Sequence, residues 1–387
     1  MKAALPSPAQ DDEAATFDLV DDVAGFLALR RDWEALFERA AAPPQLFQSH
    51  VFLRHWTSHY LAPDTRLSIV TAHRAGELAM VWPLVRQKRY GLDTLRFMGV
   101  PVAQFADVLV RQGDEALLNA GWTFVRQLGA DLFEARKLRA DSRLALSGLL
   151  DDAVEGDRQE APFADLTRRV GETGPSLAYP ARERSNHRRR LRRLEERGPL
   201  AYAMPPPGPE AARLAAAAIA MKRATLARRG IVAPVVNDPR FGAFFADLAG
   251  DASGEATLRI SSILSQGAPI GIDLSFDCKG HSFAHVLATD PEHEHDGIGK
   301  ILIHHSFAGA RARGSTVFDL LAPAEAYKRD HADGCVSVSD RLRPLSLKGR
   351  LACGLGIQHW RPLLKTVVKR LPAGFSRYVV PPSRQGT

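Results

Sequence analysis

The sequence predicts a mixed α/β fold made of two related halves. Helical periodicity alternates with short strand-like runs, and two segments of the first half recur in the same order in the second. "RLSIVTAHRAGELAM" and "TLRISSILSQGAPIG" each read as a strand, a glycine turn and a strand, with Gly76 answering Gly267. Further on, "LLNAGWTFVRQLGADLFE" matches "LIHHSFAGARARGSTVFD": a helix, Gly129 or Gly314 at its end, then a strand closing on Leu132-Phe133-Glu134 or Val317-Phe318-Asp319.

Taken in chain order, apolar spacing predicts helices near residues 22–40, 48–60, 115–129, 183–197, 209–228, 238–249, 298–313 and 346–369. Strands are expected near 67–73, 78–88, 132–138, 257–264, 270–277, 282–289 and 316–321. The expected division is a disordered N-terminus (1–15), a first half (16–180), a basic linker helix (181–198), a second half (199–345) and a basic C-terminal helix and tail (346–387).

A chain of 387 residues, 45% of them hydrophobic, has enough apolar side chains for a large core. No apolar run approaches the length of a membrane span, and Pro, Asp and Glu interrupt the start where a signal peptide would be apolar, so a cytoplasmic protein is expected. Cys278, Cys335 and Cys353 are odd in number and far apart, which argues against a disulfide framework or a cysteine zinc site. Eight of the thirteen histidines lie at or after His281, yet neither HExxH nor paired CxxC spacing accompanies them, so no metal is expected. GxGxxG after a strand, GxxxxGK[ST] and GxSxG are also missing, which removes the usual support for nicotinamide, P-loop and serine-hydrolase chemistry.

The net charge of +7 is concentrated in two places. One is "RERSNHRRRLRRLEERG", Arg182 to Gly198, which reads as a helix with interleaved glutamates and a solvated face. The other runs from Arg341 to Arg377, where apolar residues among the cations suit packing on the body or lying on an acidic membrane surface.

The stretch "HDGIGKILIHHSFAGARARG", His295 to Gly314, starts a helix on Gly297 and Gly299 with Lys300 beside them. Unpaired amides and the positive end of the helix dipole would receive an anion there. The matching positions of the first half are Gln112, Gly113 and Asp114, whose acid would repel one. A phosphorylated ligand is therefore expected in the second half. His305 falls on the apolar stripe Ile298, Ile301, Leu302, His305, Ala308 and reads as a hydrogen-bonded core histidine.

Over most of its length, about residue 17 to residue 365, the chain resembles the CelD/BcsL-type GNAT acyltransferases associated with cellulose and other exopolysaccharides, relatives in fold of the double-GNAT Fem peptidyltransferases. The resemblance rests on "FQSHVFLRHW" (Phe47 to Trp56), on "NHRRRLRRLEERG", and on "HDGIGKILI" followed by "FDLLAPAEAYKRD" (Phe318 to Asp330). It departs from the family pattern where Ala322-Pro323 replaces an expected glycine, and at Glu294, where many such loops carry Arg or Gln.

The resemblance implies tandem GNAT-like halves and an acyl-CoA co-substrate, acetyl-CoA or another, bound in the second half by Leu287, Ala288, Gly297, Ile298, Gly299 and Lys300. The acceptor would be an amine or hydroxyl, such as a sugar or polysaccharide precursor. Asp290, Asp319, Glu325, Tyr327 and Lys328 are the candidate catalytic residues, with His285 a further candidate base, because each is expected near the cleft. Each has a structural alternative: a carboxylate ending a strand orders loops, and Glu325, Tyr327 and Lys328 fit an ion pair as well as substrate contact. Two rival functions remain open, an aminoacyl-tRNA-dependent transferase and a non-catalytic partner of a polysaccharide synthase. Nucleic acid is disfavoured because no long helical arm is present.

Overall fold

The computed structural model describes residues 14–169, 181–251 and 258–356. The first half holds β1 (Thr16–Val20), α1 (Val23–Ala28), α2 (Arg30–Ala40), α3 (His50–Tyr60), β2 (Thr65–Leu67), β3 (Ile69–Arg74), β4 (Glu77–Trp82), β5 (Leu84–Arg89), β6 (Leu92–Phe97), β7 (Leu109–Val110), α4 (Glu115–Gln127), β8 (Leu132–Arg139), α5 (Arg143–Leu146) and β9 (Val154–Asp165). The second holds α6 (Ala181–Glu195), β10 (Leu200–Ala203), α7 (Pro209–Arg228), α8 (Pro234–Asn237), α9 (Pro239–Gly250), β11 (Leu258–Ser265), β12 (Ala268–Cys278), β13 (His281–Thr289), α10 (Ile298–Ala312), β14 (Val317–Asp319), α11 (Ala326–Arg329), β15 (Gly334–Pro344) and α12 (Leu347–Gly354).

Among the described residues, eleven strands form one sheet in the order β10-β11-β12-β13-β14-β9-β15-β8-β6-β5-β2, and β1-β3-β4-β7 form a second. The internal repeat is visible in both. Ala75-Gly76 and Gln266-Gly267 turn the β3–β4 and β11–β12 hairpins with positive φ at both residues, the geometry that matches strand twist. The parallel crossover β6–α4–β8 answers β13–α10–β14.

Several elements depart from expectation. The helix predicted over 22–40 divides at Leu29, whose N–H turns back to the Gly25 carbonyl. The strands β9 and β15 are not among the expected ones; β9 is too rich in charge to show strand alternation, and it forms because β15 supplies its ladder. β15 therefore takes the start of the expected basic tail, with Arg341 pairing Glu155 at 2.9 Å and Arg343 pairing Asp152. The helix expected over 346–369 runs from Leu347 to Gly354, and its remainder lies outside the described residues, as do the tail and residues 1–13.

The halves share a core. Phe47 and Phe52 of the first half meet edge to face at 5.3 Å, and Phe52 meets Phe244 at 5.4 Å and Phe276 at 5.7 Å in the second. β15 lies between β9 and β8, and β9 pairs with β14, so the main sheet passes through both halves. At that seam Arg139, ending β8, donates to the Asp319 carboxylate at 2.7 Å, with side chains 7% and 4% exposed. Burial pushes the Asp319 carboxyl above the ordinary carboxylate range, and the guanidinium opposes that shift.

Removing one member of such a pair strands the other charge. Arg139→Ala is expected to lower unfolding free energy by about 3–5 kcal/mol in urea titration, and Arg139→Met with Asp319→Leu by much less. Equal losses would mean that packing, not charge, holds the seam.

Candidate active site

The site begins with an irregularity in β13. Leu274 of β12 faces Val286 and Ser275 faces Ala284, which leaves His285 as an extra, bulged residue. β13 pairs with β14 only through His281, Ser282 and Phe283, and there the two parallel strands part. Beyond the bulge the Leu287 carbonyl accepts from Lys222 Nζ at 3.4 Å, and the Thr289 carbonyl accepts from Thr225 Oγ1 at 3.3 Å. In such a ladder a residue's N–H and C=O point to the same side, so the amides of Leu287 and Thr289 face the gap as well.

The gap widens into a cavity of about 600 Å³. Its walls are Leu287 and Thr289 of β13, the face of α7 bearing Lys222, Thr225 and Arg229, and Tyr327 and His331 below. The start of α10 closes one end. Gly297 there has φ +81, and a Cβ on it would stand 2.7 Å from Arg190 Cδ, so glycine serves both the turn and the close approach. No side chain caps the helix, and a Cβ on Gly299 would meet nothing within 4 Å. Lys300 lines the same end, while Ile298 is buried and anchors the helix start.

This end of the helix differs from its counterpart in the first half. Asp114 caps α4 by accepting from the Leu117 N–H at 3.0 Å and pairs with Arg74 at 3.2 Å. The carboxylate fills the place an anion would take. At α10 the nearby acid, Glu294, is instead drawn to Arg229 at the mouth. Arg190 reaches in from α6, where it pairs with Glu183 at 3.2 Å. Cations thus outnumber acids around the uncapped amides.

Under the cavity, burial pulls the Lys328 ammonium down to about 8; nearby Glu325 opposes this and nearby Lys222 adds to it. Lys328 Nζ donates to the Leu321 carbonyl at 2.9 Å. Burial lowers Lys222 in the same direction. Burial, then the adjacent Glu325 carboxylate, push the Tyr327 hydroxyl far above the ordinary phenol range. In the turn leading here Leu321 takes the left-handed conformation at φ +60, held by its N–H on Asp319 Oδ1 at 2.8 Å.

The predicted residues fall into two groups. Leu287, Gly297, Gly299, Lys300 and Tyr327 line the cavity, with Ile298 packed behind it and Glu325 and Lys328 adjoining Tyr327. Three other residues are turned elsewhere. The Ala288 side chain is buried in the joint core. Asp290 caps the turn before α10 by accepting from the Glu292 N–H at 2.9 Å. Asp319 serves the Arg139 pair.

His285 faces the first half, with Nε2 at 2.6 Å from the Val102 carbonyl, and burial brings it down to about 4. The expected core histidine also shifts. His304 is buried, stacked on His187 of α6 at 4.9 Å, whereas His305 is half-buried against Tyr202. α10 packs on α6 as well as the sheet, which widens its buried arc beyond one stripe. Among the described residues no His, Cys, Asp and Glu group is placed to hold a metal.

Lys222, Thr225, Arg229 and Arg190 were not among the predicted site residues. The first three stand at i, i+3 and i+7 on the alanine-rich α7, a polar face that periodicity does expose.

Residues 181–329, the part that builds the cavity, match the family model of the acetyltransferase (GNAT) domain. No curated protein matches the chain. Solved structures are similar across most of it. FemX has TM-score 0.57 and 11% identity, covering 84% of this chain and 97% of its own. A conserved protein of unknown function from Bacteroides thetaiotaomicron has TM-score 0.55 and 12% identity, covering 85% and 100%. The C-terminal domain of a putative lysylphosphatidylglycerol synthetase from Agrobacterium fabrum has TM-score 0.52 and 11% identity, covering 85% and 95%. At such identities the likeness is one of fold. The acetyltransferase (GNAT) match is confined to residues 181–329, within the second half.

Lysine-selective NMR of the folded protein should show a side chain titrating near pH 8, and Lys328→Met should remove that signal. A Lys328 that titrates near its ordinary value would refute the burial argument.

Proposed function

We propose that the protein transfers an acyl group from acyl-CoA to an amine or hydroxyl of a sugar or polysaccharide precursor, in the manner of the exopolysaccharide-associated GNAT enzymes it resembles. The observation that carries this reading is the uncapped glycine-rich start of α10, opening beside a strand edge with free amides. The amides of Ile298 and Gly299 hold the pyrophosphate, with Lys300, Arg190 and Arg229 adding charge. The pantetheine arm runs along β13, and the Leu287 N–H polarises the thioester carbonyl.

The acceptor attacks the carbonyl carbon and the C–S bond breaks. Lys328, uncharged above about pH 8, takes the acceptor proton, directly or through water. The Lys328 ammonium so formed returns that proton to the departing thiolate, while Tyr327, held in its protonated form, donates a hydrogen bond to the sulfur. Glu325 positions that hydroxyl. Asp319 keeps its place in the turn that aims them.

Calorimetric titration with acetyl-CoA tests the donor. Wild-type protein should bind saturably. Gly299→Glu, whose Cβ would meet nothing within 4 Å and whose backbone gains helix propensity, should abolish binding without lowering Tm. Retained binding would place the pyrophosphate elsewhere. Transfer to glucosamine-type acceptors, followed by thiol release, should rise with pH along a limb near 8 that Lys328→Met removes.

Peripheral contact with an anionic membrane also fits the chain. Leu347, Leu351 and Leu355 on α12 are 77%, 71% and 74% exposed at i, i+4 and i+8, and the sequence after Asp340 contains no acid. Phosphatidylglycerol vesicles should sediment the protein and Leu351→Glu should weaken this; failure to sediment at low salt would reject it.

A further inference from the structure

The cavity's own cations are matched to a CoA-sized anion, yet the helix beside its mouth carries many more. α6 is fixed inward by Leu191 and Leu194, packed with Ile298 and Ile301, and by His187 on His304. Arg197, just beyond its end, pairs with Asp296 at 3.0 Å. Of its arginines, Arg190 alone turns into the cavity. Arg182, Arg188, Arg189, Arg192 and Arg193 are exposed on the outer side. Arg190, Lys222, Arg229 and Lys300 line the cavity itself, where Arg190 and Arg229 are paired with Glu183 and Glu294. A surface of further arginines next to that mouth fits the anionic body of a larger molecule whose acyl arm enters the cavity.

We propose that the outer face of α6 docks an acidic acyl carrier protein, so that this chain accepts acyl groups from carrier-bound phosphopantetheine as well as from CoA. The inference rests on the proposed acyl-transfer reading of the cavity. The arm suits the site: its amides meet the open edge of β13, its alkyl parts meet Leu287, Leu302 and Ile303, and its single phosphodiester reaches the α10 amides. Acidic helices of a carrier protein then face the guanidinium groups. α6 carries no Phe, Tyr or Trp, and its one imidazole, His187, is turned inward against His304, so its outer face offers no aromatic ring for the bases of a nucleic-acid end, which favours a protein anion over RNA. In the transfer the acceptor nitrogen or oxygen bonds to the acyl carbon. The carbon–sulfur bond of the carrier thioester breaks, and the carrier leaves as the free thiol with the acceptor's proton balanced through the cavity groups.

The test uses full-length protein, purified acetyl-loaded acyl carrier protein, acetyl-CoA and bulk tRNA, with affinities measured at low and moderate salt. Arg188→Glu with Arg192→Glu, both exposed, should weaken carrier binding by about tenfold or more and leave acetyl-CoA affinity within about twofold. Arg188→Lys with Arg192→Lys should retain most carrier binding. Carrier affinity unchanged by the reversal, or no carrier binding while acetyl-CoA binds, overturns the docking face and leaves the CoA reading intact. Binding of neither donor overturns both. Tight tRNA binding lost on reversal, with none to the carrier, overturns the proposal in favour of nucleic acid.

Discussion

The structure turns on where the ladder between β13 and β14 stops. β14 ends at Asp319, the residue that faces Phe283 in the last parallel step, and Arg139 from the other half holds it there. β13 continues for six residues more, past the bulge at His285 to Thr289. Two strands that must pair at one end and part at the other leave open backbone groups between them, and unpaired groups in a fold interior need a partner. Lys222 and Thr225 satisfy two carbonyls. The facing amides are left for a ligand. The cleft is therefore a consequence of strand geometry, and the two halves have to meet correctly for it to form.

That dependence gives the first half a part different from that of the second. Its equivalent crossover keeps the helix and strand, but Asp114 closes the helix start and Arg74 completes the closure. What this half supplies instead is support. Arg139 fixes the end of β14, the Val102 carbonyl holds His285 at the bulge, and Phe47 and Phe52 fill the joint core. The first half thus braces the strand whose backbone edge lines the cavity.

Much of this architecture was legible in the sequence because it depends on local rules. Glycine at a hairpin turn, an apolar helical stripe and a glycine after a helix recur in both halves, so the repeat and most helix limits could be read directly. Interactions between distant segments were not legible. β9 carries too many charges to look like a strand, and its identity comes from pairing with β15. Asp319 looks equally suited to catalysis or to structure until Arg139 is seen 180 positions away in the chain. Asp290 follows β13 just before the glycine turn, yet its carboxylate is spent on the Glu292 N–H. Lys222, on another helix altogether, enters the site only through the packing of α7 across β13.

The two departures from the family pattern find their reasons at the same level. Ala322-Pro323 stands where the glycine was expected, and the left-handed conformation after β14 falls on Leu321 just before it. A buried leucine in that conformation is strained, and it persists because Asp319 accepts its N–H and Lys328 donates to its carbonyl. The strain, the lysine and the seam are one assembly: Arg139 positions Asp319, Asp319 sets the turn, and the turn carries the Leu321 carbonyl that fixes Lys328. Glu294 is likewise tied to Arg229, so the acid at the mouth is neutralised from α7 rather than left to oppose an anion. A lost glycine and a gained acid read as damage to an anion site when only the loop sequence is considered. With their partners in place, both are compensated by contacts that no local motif contains.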